Sequence, residues 1–471
     1  MLKKLFSHTI IYGLSPQIVK VAQVLVLPLI TPFLTPLDYG VFGLITAVIG
    51  AVSVFSTLGL SVVLANSFVK SPNQFKWLWR QIYGFLIYWN VFYALIVSIV
   101  IYFFIPQEAK NNSLNIILLN VIPLVLFSSS TVLGNLYYQL KQKPMQIAIR
   151  NIVIGLFTVV LNVYLIKYLR LGYMGWFIAN GVAQIIYQIS YYYPLNFKLG
   201  IKPIFNFKKN TIFKQLRISF PTIPHYYSNY ILISFDKIIM KFIGLPIDQI
   251  GKYNAAQVPG NLFASATYAA NQAISPLLLE TYKTNNKNLE RKLNFNVIIL
   301  FLILTSIICL FLKELLPLII KSEGLEEIYK ITIIIIMAYN YRPMYVASNN
   351  KLFYVEKTKA LLKVTSIAAI LSIILNLILI YFFGSIAAAI TLFITFMYMG
   401  YSGFYIKEFK ENDGTDHKPL LWLALTIGLT IFVYFAVEFS LFIKVGIALI
   451  FLMVGIYLLF KLNINNEISN N

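Results

Sequence analysis

Six stretches of this chain carry no Asp, Glu, Lys or Arg: residues 39–69, 81–107, 111–140, 171–197, 253–279 and 364–406. A helix of about 20 apolar residues crosses the roughly 30 Å of bilayer hydrocarbon, so most of these runs hold one crossing. The last is long enough for two, turning near Phe383-Gly384-Ser385. Of the 471 residues, 59% are hydrophobic and 12% charged, against about 25% charged in an ordinary soluble domain. The fold class is therefore an all-α, polytopic membrane protein. Spans are expected near 9–33, 39–67, 81–105, 114–139, 145–166, 173–194, 216–243, 250–279, 293–313, 328–350, 360–382, 385–406, 419–437 and 440–460, about fourteen in all.

The net charge is +21, from 38 basic and 17 acidic residues. Such basicity can mark a nucleic-acid binder, but its placement points elsewhere. With the N-terminus in the cytoplasm, 24 Lys and Arg fall in inside segments and 9 in outside ones, the bias the positive-inside rule requires. Both termini are thus expected in the cytoplasm, and no nucleic-acid partner is expected. Met1-Leu2-Lys3-Lys4 leads into a span with no small-residue cleavage site, which reads as an uncleaved first helix. Cys309 is the only cysteine, so no disulfide framework or thiol pair exists. The three histidines, His8, His225 and His417, are too dispersed for a metal site. Loops are about 20 residues or shorter, and no phosphate-binding Gly-x-x-x-x-Gly-Lys-Ser/Thr motif occurs. These features argue against an enzyme and leave no catalytic residue to assign.

The longest connection, 195–215, alternates Lys with Phe and Ile, which suits a segment lying on an anionic membrane surface. It divides the chain into an N-terminal lobe (1–194, six helices) and a C-terminal lobe (216–406, six helices), followed by two additional helices (419–460). A weak repeat supports the division. Ser15-Pro16 is answered by Phe220-Pro221, and Thr35-Pro36-Leu37-Asp38-Tyr39-Gly40-Val41-Phe42 by Leu245-Pro246-Ile247-Asp248 with Gly251-Lys252-Tyr253. Repeated six-helix units are a recurrent transporter architecture.

The stretch Asp236-Lys237-Ile238-Ile239, Ile243-Gly244 and Ile250-Gly251-Lys252-Tyr253-Asn254-Ala255-Ala256 resembles the Asp-Arg/Lys … Gly-x-Tyr-x-x-Ala signature of polysaccharide flippases. These are the O-antigen and capsule transporters of the multidrug/oligosaccharidyl-lipid/polysaccharide (MOP) exporter superfamily. Pro36-Leu37-Asp38-Tyr39-Gly40-Val41-Phe42 is similar to the matching first-half segment. The resemblance implies two pseudo-symmetric six-helix lobes around a V-shaped cavity, in the cytoplasmic (inner) membrane of a bacterium. It also implies flipping of an undecaprenyl-diphosphate-linked oligosaccharide to the outer leaflet by alternating access. Expected partners are that anionic lipid-linked oligosaccharide, membrane lipids and other polysaccharide-assembly proteins, with the chain itself a monomer.

Lys20, Arg150, Arg217 and Arg342 lie within or at the ends of apolar spans, as does the Asp236–Lys237 pair. Ionisable groups in hydrocarbon are costly unless hydrated or partnered. Read functionally, the four cations line a watery chamber and hold a diphosphate, arginine through bidentate contacts and lysine as a point charge. Read structurally, they snorkel or form ion pairs. On the eighth helix, Asn254, Gln257, Asn261, Ser265, Tyr268, Gln272 and Ser275 share one helical face. With Tyr226 and Tyr230 on the seventh, they could hydrogen-bond sugar hydroxyls; helix-to-helix packing is the alternative. Asp236, Asn376, Thr391 and Thr395 are oxygen donors for a coupling cation, Na+ or H+, since some flippases of the superfamily hold sodium between these helices. Here Ile380 stands where a second carboxylate would strengthen that site, and an Asp236–Lys237 ion pair is the favoured reading. No other cofactor is expected. The alternatives to a flippase are a multidrug/cation antiporter of the same superfamily, which would want an acidic cavity, or an integral-membrane glycan polymerase or transferase.

Overall fold

The computed structural model describes residues 2–412 and 415–464, with side chains at 2–14, 222, 224–226, 228, 229, 273, 358, 463 and 464 outside the description. Most of the described residues are helical. Ten helices are long and apolar enough to cross a membrane: Ser15–Phe33, Pro36–Ser56, Phe75–Phe104, Gln107–Leu126, Pro144–Tyr168, Lys287–Leu310, Lys359–Phe383, Ser385–Tyr405, Pro419–Ala436 and Leu441–Leu462. At the four other expected positions the backbone is helical but more polar or broken. Tyr173–Tyr193 and Ile247–Thr284 are each continuous, whereas 216–243 and 328–350 are interrupted. At 38 residues, the Ile247–Thr284 helix is about 57 Å long at 1.5 Å per residue, well beyond the hydrocarbon thickness.

The interruptions have local causes. The expected helix 39–67 stops at Ser53 and restarts at Leu60, because Leu58 (φ 49°) and Gly59 (φ 71°) turn left-handed. Pro221 lies in the 3-10 turn Phe220–Thr222 that separates the helices Lys209–Ser219 and Ile223–Ser234. In the run Tyr329–Tyr354, Pro343 lacks an N–H and its ring would collide with the carbonyl four residues back. The backbone tightens there into a 3-10 turn, Tyr339–Tyr341, before the helix resumes at Arg342.

The chain folds as two compact units. The first comprises Met1–Lys241 with Pro246–Gly251, and the second Phe242–Leu245 with Lys252–Asn471. The division therefore falls at 241–252, while 195–215 belongs wholly to the first unit. Polar ties explain that membership. Ile204 N–H donates to the Arg80 carbonyl (3.0 Å), Lys208 N–H to Gln81 Oε1 (2.8 Å), and the Ser219 hydroxyl to the Leu58 carbonyl (2.7 Å).

Within the first unit the two copies of the repeated motif meet face to face. A Cβ on Gly251 would collide with the Pro36 carbonyl oxygen and lie 2.9 Å from the Gly40 nitrogen. One on Gly40 would strike the Ile247 carbonyl. Small residues let two helix backbones approach closely, and these contacts leave no room for anything larger. The Thr35-Pro36-Leu37-Asp38 segment has its own structural explanation. Thr35 and Asp38 form a capping box on the Pro36–Ser53 helix, and Asp38 Oδ1 accepts from Tyr173 N–H (2.7 Å). The buried carboxylate is fully engaged in orienting two helix starts.

The second unit is secured at both ends by charges. At one end Glu438 Oε2 accepts from Lys313 (2.6 Å) and Oε1 from Tyr329 (2.6 Å), with Lys330 3.4 Å away. Nearby, Lys444, with no exposed side-chain surface, pairs with Glu314 at 2.7 Å. At the other end Glu290, 2% exposed, lies 3.2 Å from His417 Nε2 and 3.9 Å from Lys351, and accepts from the Thr415 hydroxyl at 3.2 Å. These links, with Trp422 stacked edge-on against Phe295 (5.1 Å), fasten the last two helices to Lys287–Leu310.

Two outcomes follow from these contacts. Gly251→Ala should lower the unfolding temperature, since overpacking typically costs about 1–3 kcal/mol. Gly428→Ala, whose Cβ would meet nothing within 4 Å, should not. Lys313 and the Tyr329 hydroxyl hold the Glu438 carboxyl well below its ordinary value, at about 2. A carboxyl lowered by folding stabilises in full above its ordinary value of 4.5 and loses that contribution as pH falls towards 2. Between pH 6 and 3, wild-type protein should therefore lose slightly more thermal stability than Glu438→Gln, by less than about 1 kcal/mol because the group is solvated.

Candidate functional site

Arg342 opens a helix at the break that Pro343 imposes, in the middle of the run Tyr329–Tyr354. Its guanidinium stacks over the Tyr268 ring, 5.3 Å from the centroid, and Nη1 approaches the Tyr341 hydroxyl at 3.4 Å. No carboxylate partners it among the described residues. A void of about 20 Å³ adjoins it, room for about one water molecule. The walls come from Thr267, Ala270, Asn271 and Ile274 of the long helix Ile247–Thr284, from Asn294, Val297 and Phe301, and from Arg342, Pro343 and Val346. Arg342 Nε and Asn294 Nδ2 are both buried, and neither has an acceptor among the described residues. Both are donors. A buried donor without an acceptor costs about 1–3 kcal/mol, more when charged.

The sugar-face residues divide on this frame. Tyr268, half exposed, stands beside Arg342, and the next helical positions facing the void are Thr267 and Asn271 rather than the expected stripe. Asn254 and Gln272 are half-buried, Gln257 is buried and Asn261 is exposed. Ser275 is engaged in packing: its hydroxyl donates to Asn271 Oδ1 (2.8 Å) and accepts from Asn350 Nδ2 (2.9 Å). In the first unit, the Tyr230 hydroxyl donates to the Ala47 carbonyl and its ring lies against Gly50, so it ties two helices together. The Tyr226 side chain lies outside the described residues, as do those of His8 and His225.

The other cations occupy different settings. Lys20 is half-buried on the helix Leu2–Ile30, one residue from Val19, which packs onto Gly155 of the helix Pro144–Val163. Arg150 is only six residues from the start of that second helix, roughly 9 Å along its axis, which places it at the rim rather than at mid-span. Its guanidinium stacks on the rings of Tyr138 (5.0 Å) and Tyr191 (4.7 Å). Nε and Nη2 donate to the Ser190 carbonyl, both at 3.3 Å. Arg217 is exposed in the last turn of Lys209–Ser219.

Asp236 and Lys237 are both buried and face each other at 3.8 Å, and Asp236 Oδ1 accepts from the Lys237 amide at 2.7 Å. The ion pair is present as drawn from the sequence. In the second unit Asn376, Thr391 and Thr395 are buried on the packed helices Thr358–Phe383 and Ser385–Tyr401. Thr395 donates within its own helix, to the Thr391 carbonyl at 2.8 Å. Asn376 Oδ1 and Thr391 Oγ1 have no hydrogen-bond partner among the described residues. No cluster of three or more His, Cys, Asp or Glu suited to a metal occurs among the described residues.

Comparison with known proteins bears on the fold. The structure of the lipid II flippase MurJ in an inward closed conformation superposes with TM-score 0.71, covering 96% of this chain and 99% of MurJ at 13% identity. An inward-facing multidrug resistance MATE transporter of the MOP superfamily gives 0.63, covering 89% and 99% at 14% identity. An outward-facing MATE transporter gives 0.54, covering 89% and 94% at 13% identity. No curated protein matches the sequence well enough to count as a relative. The family model described as "Polysaccharide biosynthesis protein" matches residues 5–282, more than half of the chain. With ten helices long and apolar enough to cross a membrane among its described residues and a fold shared with those solved transporters, the protein belongs to the polysaccharide biosynthesis protein family.

Proposed function

We propose that this protein flips an undecaprenyl-diphosphate-linked oligosaccharide from the cytoplasmic to the outer leaflet of a bacterial inner membrane, by alternating access and without catalysing a reaction. One observation carries this reading: a mid-span arginine with no acidic partner among the described residues, its buried Nε beside a second orphaned donor on Asn294. A protein retains so costly an arrangement in an apolar setting when its ligand brings the missing negative charge. Diphosphate oxygens supply that charge, and guanidinium is suited to hold them in pairs. Lys20, half-buried in the first helix, adds a point charge in the first unit. An antiporter for organic cations would want carboxylates instead, and residues 109–235 contain none.

Coupling to a cation fits the second unit. Asn376 Oδ1 and Thr391 Oγ1 are buried oxygens with no donor among the described residues, the complement of a small cation such as Na+. Asp236 is already paired with Lys237.

Two experiments test these assignments. Accessibility of lipid-linked glycan at the outer leaflet should fall about tenfold or more in Arg342→Gln and in Lys20→Gln at unchanged membrane abundance, the effect of losing one charge-assisted contact. Normal export in both variants would overturn the diphosphate assignment. For the cation, replacing external and internal sodium by potassium should slow export by the wild type, and Asn376→Leu should abolish that difference. Equal sodium dependence in the variant would remove Asn376 from the site.

A further inference from the structure

A second cationic cavity lies in the first unit, and none of its walls is shared with the Arg342 void. It is an open pocket of about 510 Å³ whose walls include Tyr137, Tyr138, Lys143, Arg150, Tyr193 and Lys198. Three cations line it and no carboxylate does. The sequence around it has the same bias: between Glu108 and Asp236 there are twelve basic residues and no acidic one.

The pocket is built rather than incidental. Lys198 begins the 195–215 segment, and that segment is fastened beside it: Lys76 donates to the Leu199 carbonyl (3.0 Å) and Arg80 Nε to the Lys202 carbonyl (2.9 Å). Arg150 is clamped between two tyrosine rings, and one of its five N–H donors, on Nη2, has no acceptor among the described residues. The 20-residue helix Pro144–Val163 starts at the pocket with no side-chain cap on its first turn, which adds the positive end of its dipole. Leading away from this charge, Ile149, Val153 and Ile189 are exposed and apolar. A polar, multiply cationic end beside an apolar strip is the footprint of an amphiphile.

We infer that this pocket is a loading site for the diphosphate group of a polyprenyl-linked lipid, separate from the Arg342 site. The inference rests on the flippase reading for the identity of the lipid. Three cations and a helix start match a diphosphate better than the single charge of a phospholipid, and the apolar strip favours a lipid-borne group over a free anion. Lys143 and Lys198 supply long-range charge, while Arg150 supplies a fixed donor.

The test uses full-length protein in detergent, titrated with farnesyl diphosphate in an Arg342→Gln background so that the other site does not contribute. Binding should persist there and weaken about tenfold or more in Arg342→Gln/Lys143→Gln/Lys198→Gln, with an unchanged unfolding temperature. Equal affinity in the two proteins would overturn the proposal. Phosphatidylglycerol competing as well as farnesyl diphosphate would overturn the diphosphate assignment, and inorganic pyrophosphate doing so would overturn the lipid-borne one. Because binding is read in vitro, its outcome is independent of whether Arg342→Gln blocks glycan export, so the two readings fail separately.

Discussion

A charge within an apolar span must be hydrated, partnered or moved to an end, and the placement of this chain's ionisable groups follows from that requirement. In the second unit Glu438, Lys313, Lys330, Lys444 and Glu314 gather at one end, and Glu290, Lys351 and His417 at the other. Between them the helices run apolar. Asp236 and Lys237 offset each other locally. Arg342 is neither at an end nor beside a carboxylate among the described residues. An aromatic face lessens the cost of that position, because cation–π contact is worth about 2 kcal/mol when desolvated. It does not supply acceptors for the guanidinium N–H groups, and that remaining deficit is what supports the proposal of an anionic ligand.

Helix backbones constrain the fold as firmly as the charges do. Gly40 and Gly251 come from corresponding places in the two halves of the weak sequence repeat, and in the first unit they pack against each other's helix. The Gly and Asp of the motif are explained by close approach and capping, not by ligand chemistry. A similar demand acts at Gly84, where a Cβ would collide with the Ile204 carbonyl. That contact seats the 195–215 segment against the helix Phe75–Phe104, and with it the wall of the rim pocket.

Much of this was legible before any coordinates. Long charge-free runs in a helical membrane protein have one interpretation, because lipid offers the backbone no hydrogen-bond partners and forces helices. Arg342 and Lys20 stood out for the same reason. What the sequence concealed was where helices break: hydropathy is blind to the left-handed turn at Leu58-Gly59 and to the break at Pro343 that places Arg342 at a helix start. The division near 241–252 was hidden because it depends on which neighbour the helices after residue 209 pack against. Asn294 was overlooked as an ordinary helix residue, and Lys143 and Lys198 as loop charges counted for topology. Thr267 and Asn271, four apart on the long helix, were detectable by periodicity but lay one position off the polar stripe that drew notice.

The sizes of the two cavities constrain how the sites are used. About 20 Å³ beside Arg342 is room for a water molecule and not for a diphosphate. About 510 Å³ at the rim is open to a headgroup of that size. A ligand reaching Arg342 must therefore displace the Tyr268 ring or part the long helix from Lys287–Leu310. The long helix has the means, since Pro259 and Pro276 flank the segment 267–274 that walls the void, and each removes one backbone hydrogen bond. Movement there would exchange a cation–π contact for charge-assisted hydrogen bonds about twice as strong as neutral ones. The anion itself would then provide the differential free energy that favours the open state, as any ligand-driven shift between conformations requires.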